Sequence, residues 1–309
     1  MIIAAGLSPA WQQILLFERF TPGEVNRATQ SHWCASGKVL NVGLGLHSLG
    51  AASLTLSPVG GPAGEMIERE FAACGAPLAA IRCTTATRVC TTILDRATGV
   101  TTELVEAAPA MSTAELATFT DSFAKAATAG TGLVLTGSLP AGTPVTFYRD
   151  LLRAAPDVPA ILDARGPELL AALVCKPLVV KPNREELGIT FGRPIAGDAE
   201  LLDAMRALNA RGAGWVIVSA GKNALWATSA DVTYRLTPPP VADPQNPIGC
   251  GDALTAGLAW GLSRGLPVID AIRLGMAAAT DRLRQILPAR LDVSNVEAIA
   301  AGIIAERVP

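Results

Sequence analysis

Histidine is nearly missing from this chain: His32 and His47 are the only two among 309 residues. Two imidazoles leave nothing for a multi-histidine metal site. No serine stands in a G-x-S-x-G elbow, which argues against a Ser–His–Asp hydrolase. Excess charge of either sign is absent too. Lys and Arg total 25 against 27 acidic residues, a net charge of −2, so nucleic acid and anionic membranes find no electrostatic footprint. Nowhere do about 18 apolar residues run without interruption, and no spanning helix is expected. The opening MIIAAGLSPAWQQILLF has no basic n-region and no small-residue cleavage site behind a long apolar core, so a secretory signal is not expected. Six cysteines (Cys34, Cys74, Cys83, Cys90, Cys175, Cys250) include no C-x-x-C pair, as suits a reducing, cytoplasmic compartment. Whatever chemistry the chain performs should run on carboxylates, cations and backbone groups.

What is present is apolar residue, 50% of the chain, enough to bury a large core. Short β-rich runs alternate with Ala/Leu-rich helical stretches: MIIAAGL, LNVGLGLHSLG, SLTLSPV, AGEMIEREFAACG, and later GLVLTGS, TFYRDLLRAA, PAILDA, PLVVKPN, DAELLDAMRALNARG and GWVIVSAG. The strands are apolar on both faces, which predicts a parallel sheet covered by helices on each side. Functional groups then gather at the C-terminal ends of its strands. Two segments break the rhythm. Residues 23–33 (GEVNRATQSHW) and 87–106 (TRVCTTILDRATGVTTELVE) alternate β-branched and polar residues, the pattern of antiparallel strands that could form a small lid.

Chemistry concentrates in a few punctuated stretches. In NPIGCGDALTAGLAWGL (246–262), Asp252 follows Gly249, Cys250 and Gly251 at the head of an apolar helix. It is either an N-cap or a base beside a backbone anion site at the positive end of a helix dipole. VVKPNREELG (179–188) sets Lys181, Asn183 and Glu186 after a strand, where a charged helix entry is the simpler reading. VSAGKNALW (218–226) could be a hairpin, TGSLPAG (136–142) an ordinary turn, and ASGKVLN (35–41) puts Lys38 and Asn41 at a helix start. Neither G-x-x-x-x-G-K-[ST] nor G-x-G-x-x-G is satisfied.

Taken in order, GEVNRA, SGKVLNVGLGLHSLG, TR, GSLPAG, LDARGPEL, KPNREEL, VSAG and GCGD resemble the PfkB/ribokinase-like carbohydrate kinases, nearest the 1-phosphofructokinase and tagatose-6-phosphate kinase branch. The resemblance covers essentially the whole chain and is most specific at KPNREEL and GCGD. It implies a ribokinase-like three-layer α/β/α sandwich: one kinase domain over 1–309, a mostly parallel central sheet, and lid strands inserted at about 12–35 and 86–108. It implies an ATP-dependent kinase for a small sugar phosphate, using Mg²⁺ and pairing through its lid as a homodimer. Asp252 takes the place of the general base, and the amides of Gly249, Cys250 and Gly251 that of the anion hole. Asn183 and Glu186 match the N-x-x-E motif that positions Mg²⁺ through water. Lys181, Ser219 and Gly221 fall on the nucleotide side; Gln12, Arg27, Gly37, Lys38, Asn41, Arg88 and Ser138 fall on the sugar-phosphate side.

This chain departs from the branch where the sugar binds. GLSPAWQ replaces a pattern like T-L-N-P-A-L-D, so Ser8 and Gln12 stand for an asparagine and an aspartate, and SGKV puts Ser36 and Val39 at glycine positions. An amide offers one acceptor and two donors where a carboxylate only accepts, so a different hydroxyl pattern is expected. Two alternatives stay open: a weakened sugar-phosphate sensor of the same fold, and a kinase for an unphosphorylated sugar or nucleoside.

Overall fold

A computed structural model describes residues 1–308. The chain begins with β1 (Ile2–Ala5) in a large sheet and leaves it for β2 (Ala10–Phe17) and β3 (Gln30–Ser36) of a small one. It returns through α1 (Lys38–Ser48), β4 (Ser53–Val59), α2 (Gly61–Cys74) and β5 (Leu78–Arg82), then completes the small sheet with β6 (Val89–Asp95) and β7 (Val100–Val105). Next come α3 (Thr113–Ala127), β8 (Gly132–Thr136), α4 (Phe147–Arg153), β9 (Ala160–Asp163), α5 (Gly166–Ala172) and β10 (Val179–Val180). These lead to α6 (Arg184–Phe191), α7 (Asp198–Ala210), β11 (Trp215–Ala220), β12 (Asn223–Thr228) and β13 (Thr233–Leu236). The chain closes with α8 (Cys250–Ser263), α9 (Val268–Arg282), α10 (Val293–Ala301) and β14 (Ala305–Val308).

The large sheet has ten strands in the order β14-β13-β12-β11-β10-β9-β8-β1-β4-β5. From β5 to β11 every pairing is parallel; β12, β13 and β14 add an antiparallel edge. Alternate residues of a strand point to opposite faces, and both faces are buried. Ile3 and Ala5 of β1 pack with Phe119 and Phe123 of α3 and Tyr148 of α4, whereas Ile2 and Ala4 pack with Leu258 of α8 and Ala277 of α9. Leu133 and Leu135 of β8 divide from Val134 in the same way. Burial on both sides is why these strands read as unbroken apolar runs, and it yields the three-layer α/β/α sandwich the sequence predicts.

The small sheet runs β3-β2-β6-β7. Its second hairpin falls where the alternation in 87–106 places it. The first differs from expectation, because residues 23–29 are not strand and pairing starts at Gln30. Gly23 takes φ 87, and the Asn26 side chain accepts from Thr21 N while donating to Thr21 O and Glu24 O. These local bonds satisfy the backbone in a turn and compete with a ladder.

Gly37, with φ 86, joins β3 to α1 where a Cβ would stand 2.6 Å from Ser8 O. Only glycine fits both the left-handed backbone and that approach. Gly37→Ala should lower stability by more than about 1 kcal/mol, read as a shift of the urea midpoint at unchanged slope.

Candidate active site

The helix α8 starts at Cys250, with Gly249 at φ 85 and ψ 3 as its N-cap residue. Asp252 therefore lies within the first turn, and the capping reading fails. Its carboxylate turns to another element instead, accepting from Asn41 Nδ2 of α1 at 2.7 Å. The first N–H groups of any helix lack partners. Here Cys250 N–H donates to Pro247 O at 3.3 Å, and those of Gly249, Gly251 and Asp252 have no hydrogen-bond partner among the described residues. Two of the three expected hole amides are thus free, and Asp252 supplies another in place of Cys250. Burial drives the Asp252 carboxyl up to about 6, with Lys38 opposing the rise. A base near neutrality, buried beside free amides at a helix start, is suited to take a proton while the amides receive negative charge.

Two ammonium groups flank this corner. Lys38 Nζ lies 2.9 Å from Asp163 Oδ1 and 2.8 Å from Glu186 Oε1, and Lys181 Nζ lies 3.0 Å from Asp163 Oδ2. Lys181 Nζ is also 3.8 Å from where a Cβ on Gly251 would stand, so it borders the amide hole. Asp163 closes β9 with no solvent exposure and accepts a further bond from Thr255 Oγ1 at 3.1 Å. Burial opposes its ionisation, yet Lys181 and Lys38 outweigh that and hold the carboxyl at about 2. Burial likewise works against the Lys38 charge, but Asp163 and Glu186 push its pKa well above the usual lysine value. Sequence reasoning assigned no role to Asp163 or Thr255. The available signal was an acid ending the apolar strand AILD, at the C-terminal end of a strand, where function is expected.

Asn183 and Glu186 form the capping box of α6: Asn183 Oδ1 accepts from Glu186 N at 2.8 Å, and Glu186 Oε2 accepts from Asn183 N at 2.9 Å. The helix-entry reading is therefore right, and it also locks the Glu186 carboxylate beside Lys38. Among the described residues no three His, Cys, Asp or Glu side chains converge on a metal position. Glu186 and Asn183, both lining the cleft, fit an ion that keeps most of its own water and takes one protein carboxylate, as Mg²⁺ does.

A cleft of about 1490 Å³ runs from the small sheet to the β11–β12 hairpin. It is lined by Gln12 and Arg88 from the small sheet and its approach, by Gly37, Lys38 and Asn41, by Lys181, Asn183 and Glu186, and by Gly249, Cys250, Gly251 and Asp252. Ser219 and Gly221 line it as well, at the turn of the β11–β12 hairpin. Gln12 is buried and donates through Nε2 to Thr92 Oγ1 at 2.8 Å. Arg88 gives three N–H groups to main-chain carbonyls, Pro9 O at 3.2 Å, Ser8 O at 3.1 Å and Glu106 O at 2.9 Å. Two expected sugar-side contacts lie elsewhere. Arg27 is exposed on the β2–β3 connection, Ser138 is exposed after β8 against Ser8, and neither lines the cleft. Val39, one of the residues at a family glycine position, is 1% exposed and packs with Ala35, Leu40 and Leu44 in the core. Successive helical residues point about 100° apart, which turns Val39 inward while Lys38 reaches the cleft.

An alcohol-accepting phosphotransferase is the class this fold and corner define, since moving a phosphoryl group asks for alignment, charge neutralisation and one base rather than a covalent nucleophile. The chain belongs to the pfkB family carbohydrate kinases, whose pattern it matches over residues 11–285. It is 32% identical to a 1-phosphofructokinase of Rhodobacter capsulatus, covering 100% of this chain and 98% of that one. A 1-phosphofructokinase of Xanthomonas campestris pv. campestris is also 32% identical, over 99% of this chain and 98% of its own. Among solved structures, a possible 1-phosphofructokinase of Thermotoga maritima superposes with a TM-score of 0.91 at 19% identity, over all of both chains. The tetrameric inhibited form of phosphofructokinase-2 of Escherichia coli gives 0.87 at 24%, over 97% of this chain and 98% of that one. These likenesses establish the ribokinase-like fold. The chain is thus an ATP-dependent carbohydrate kinase, and no helix is long and apolar enough to cross a membrane among the described residues.

Proposed function

We propose that this kinase transfers the γ-phosphoryl group of ATP to a hydroxyl of a small sugar phosphate, as 1-phosphofructokinase-type chemistry. The observation that carries the reading is the Asp252 carboxylate, buried and raised, beside helix-start amides with no partner. The acceptor hydroxyl gives its proton to Asp252 as its oxygen bonds to the γ-phosphorus. The bond from that phosphorus to the bridging oxygen breaks, and ADP leaves with the electron pair. The amides of Gly249, Gly251 and Asp252, with Lys181 beside them, receive the charge spread over the phosphoryl oxygens. Glu186 and Asn183 would hold Mg²⁺ through its waters, and the ion would neutralise the β- and γ-phosphate oxygens.

The acceptor's own phosphate is assigned to Arg88. A guanidinium has five N–H groups; with three on carbonyls, one on each terminal nitrogen is left for a two-pronged hold. Relatives named 1-phosphofructokinase over the full chain support a phosphorylated acceptor. The small sheet serves as the lid, and exclusion of water on closing limits wasteful ATP hydrolysis. Its face away from the cleft carries Trp33 and Leu104, in register across the sheet and 46% and 56% exposed, which supports pairing of two copies there.

A coupled ADP-release screen over ketohexose and aldose phosphates tests the proposal, with Asp252→Asn as control. ADP release that depends on a phosphosugar is expected. Turnover only with unphosphorylated sugars or nucleosides, or none at high enzyme, would overturn it. With the accepted sugar in hand, Arg88→Met should raise its KM about 10–100-fold, the loss of a charged hydrogen-bonding pair, and leave the KM for ATP unchanged.

A further inference from the structure

Arg282, the last residue of α9, is fully buried. A guanidinium removed from water must find acceptors. This one finds main-chain carbonyls on two loops: Nη1 donates to Gln285 O, and Nη2 to Ile248 O at 2.7 Å and, more weakly, to Ile286 O at 3.5 Å. Ile248 immediately precedes the Gly249 turn. Ile248 O and Ile286 O aim their negative ends at one nitrogen in a dry space, an arrangement that repels unless a cation stands between them. The neighbouring stitches follow the same line. Asn246, also fully buried, donates to Ile286 O at 2.8 Å and accepts from Ile248 N at 2.9 Å, and Gln245 N donates to Leu283 O at 2.7 Å.

The other side of the guanidinium backs onto the hole. Arg282 Nε is buried without a partner and lies 3.7 Å from where a Cβ on Gly249 would stand. Asn41 Oδ1 is buried without a partner too, and its Nδ2, the group that holds Asp252, lies 3.5 Å from the same point.

We propose that Arg282 is a positioning residue for phosphoryl transfer: an internal cation that clamps the 246–249 loop to the end of α9, holds Gly249 in its left-handed turn, and adds positive potential behind the hole amides. This rests on the phosphoryl-transfer reading above and explains what keeps its anion hole in shape. Charge fixed behind amides is most valuable where charge develops, so the effect falls on kcat rather than on sugar binding.

The full chain is tested as Arg282→Ala and Arg282→Lys against the parent. Arg282→Ala should lower kcat about 10²-fold, the scale of losing one oxyanion-hole donor, with little change in either KM. Guanidinium chloride at low millimolar concentration should restore part of that rate by filling the vacated carbonyl cage, and urea should not. Amide exchange at Gln245, Ile248, Cys250 and Ala253, whose N–H groups are bonded in this loop and helix start, should quicken while β8 and β9 stay protected. A folded Ala variant with the parent's kcat overturns the proposal, as does a loss that tracks melting temperature and does not answer to guanidinium. Should the Ala variant not fold, Arg282→Lys decides: it keeps the charge but loses the fork that spans two loops, so parental kcat with parental exchange at Gln245, Ile248, Cys250 and Ala253 overturns the clamp. If the parent itself turns over no sugar phosphate, the functional reading fails, while the exchange comparison still judges the clamp.

Discussion

Asp252→Asn is expected to lower kcat by about 10²–10⁴-fold, the span of general-base catalysis. Asparagine keeps the shape and can still accept from Asn41 Nδ2, so the loss reports the proton acceptor and not the fold. The pH dependence should follow. Burial lifts the Asp252 carboxyl to about 6, so kcat falls as pH drops through about 6 and is level above it; in the Asn variant this acid limb disappears. Saturating sugar phosphate is needed, because a phosphate monoester also loses its second proton near about pH 6 and would distort kcat/KM. Stability moves the other way. An acid whose folded value exceeds its unfolded one of about 3.9 stabilises the fold below that unfolded value and loses the contribution as pH rises through the folded one. At pH values well above 6 the Asn variant should therefore melt no lower than the parent. An Asn variant with the parent's rate and acid limb would remove Asp252 from the chemistry.

Asp163→Asn carries the largest expected cost in stability, about 3–5 kcal/mol, as for breaking a buried ion pair from one side. Asp163 has no exposure and answers both Lys38 and Lys181. Without its charge, Lys38 keeps only Glu186 as a paired acid and Lys181 keeps none of its paired partner. A urea midpoint measures the loss. The sign with pH is opposite to that of Asp252. The Asp163 carboxyl is held at about 2, so its contribution is present above the unfolded value near about 4 and is lost as pH falls toward 2. The parent and the Asn variant should converge in stability at the acid end. Lys38→Met on the Asn background should recover part of the loss, since it removes one orphaned charge. A folded Asn variant within about 1 kcal/mol of the parent at neutral pH would mean that water, not protein, balances these lysines.

Much of the site was legible because it is built from local chemistry. Gly249 and Gly251 bracket a helix start, Asn183 and Glu186 stand three apart as a capping box requires, and alternating apolar runs separate buried strands from the small-sheet hairpin. Each of these is decided by residues within a few positions of one another. The same locality misled at 23–33, where Asn26 bonds its near neighbours and ends the strand early.

By itself, then, the sequence determined the layered α/β fold and the glycine-flanked helix start at which Asp252 stands. Tertiary structure alone decided that Asp252 turns to Asn41 rather than to its own helix, that Asp163 collects two lysines from 125 and 18 positions away, that Val39 faces the core, and that Arg282 sits behind Gly249. The reason is the range of the forces. Backbone hydrogen bonds and side-chain periodicity act between neighbours in the chain, whereas a buried charge must be answered by whichever element packing brings within about 3–4 Å.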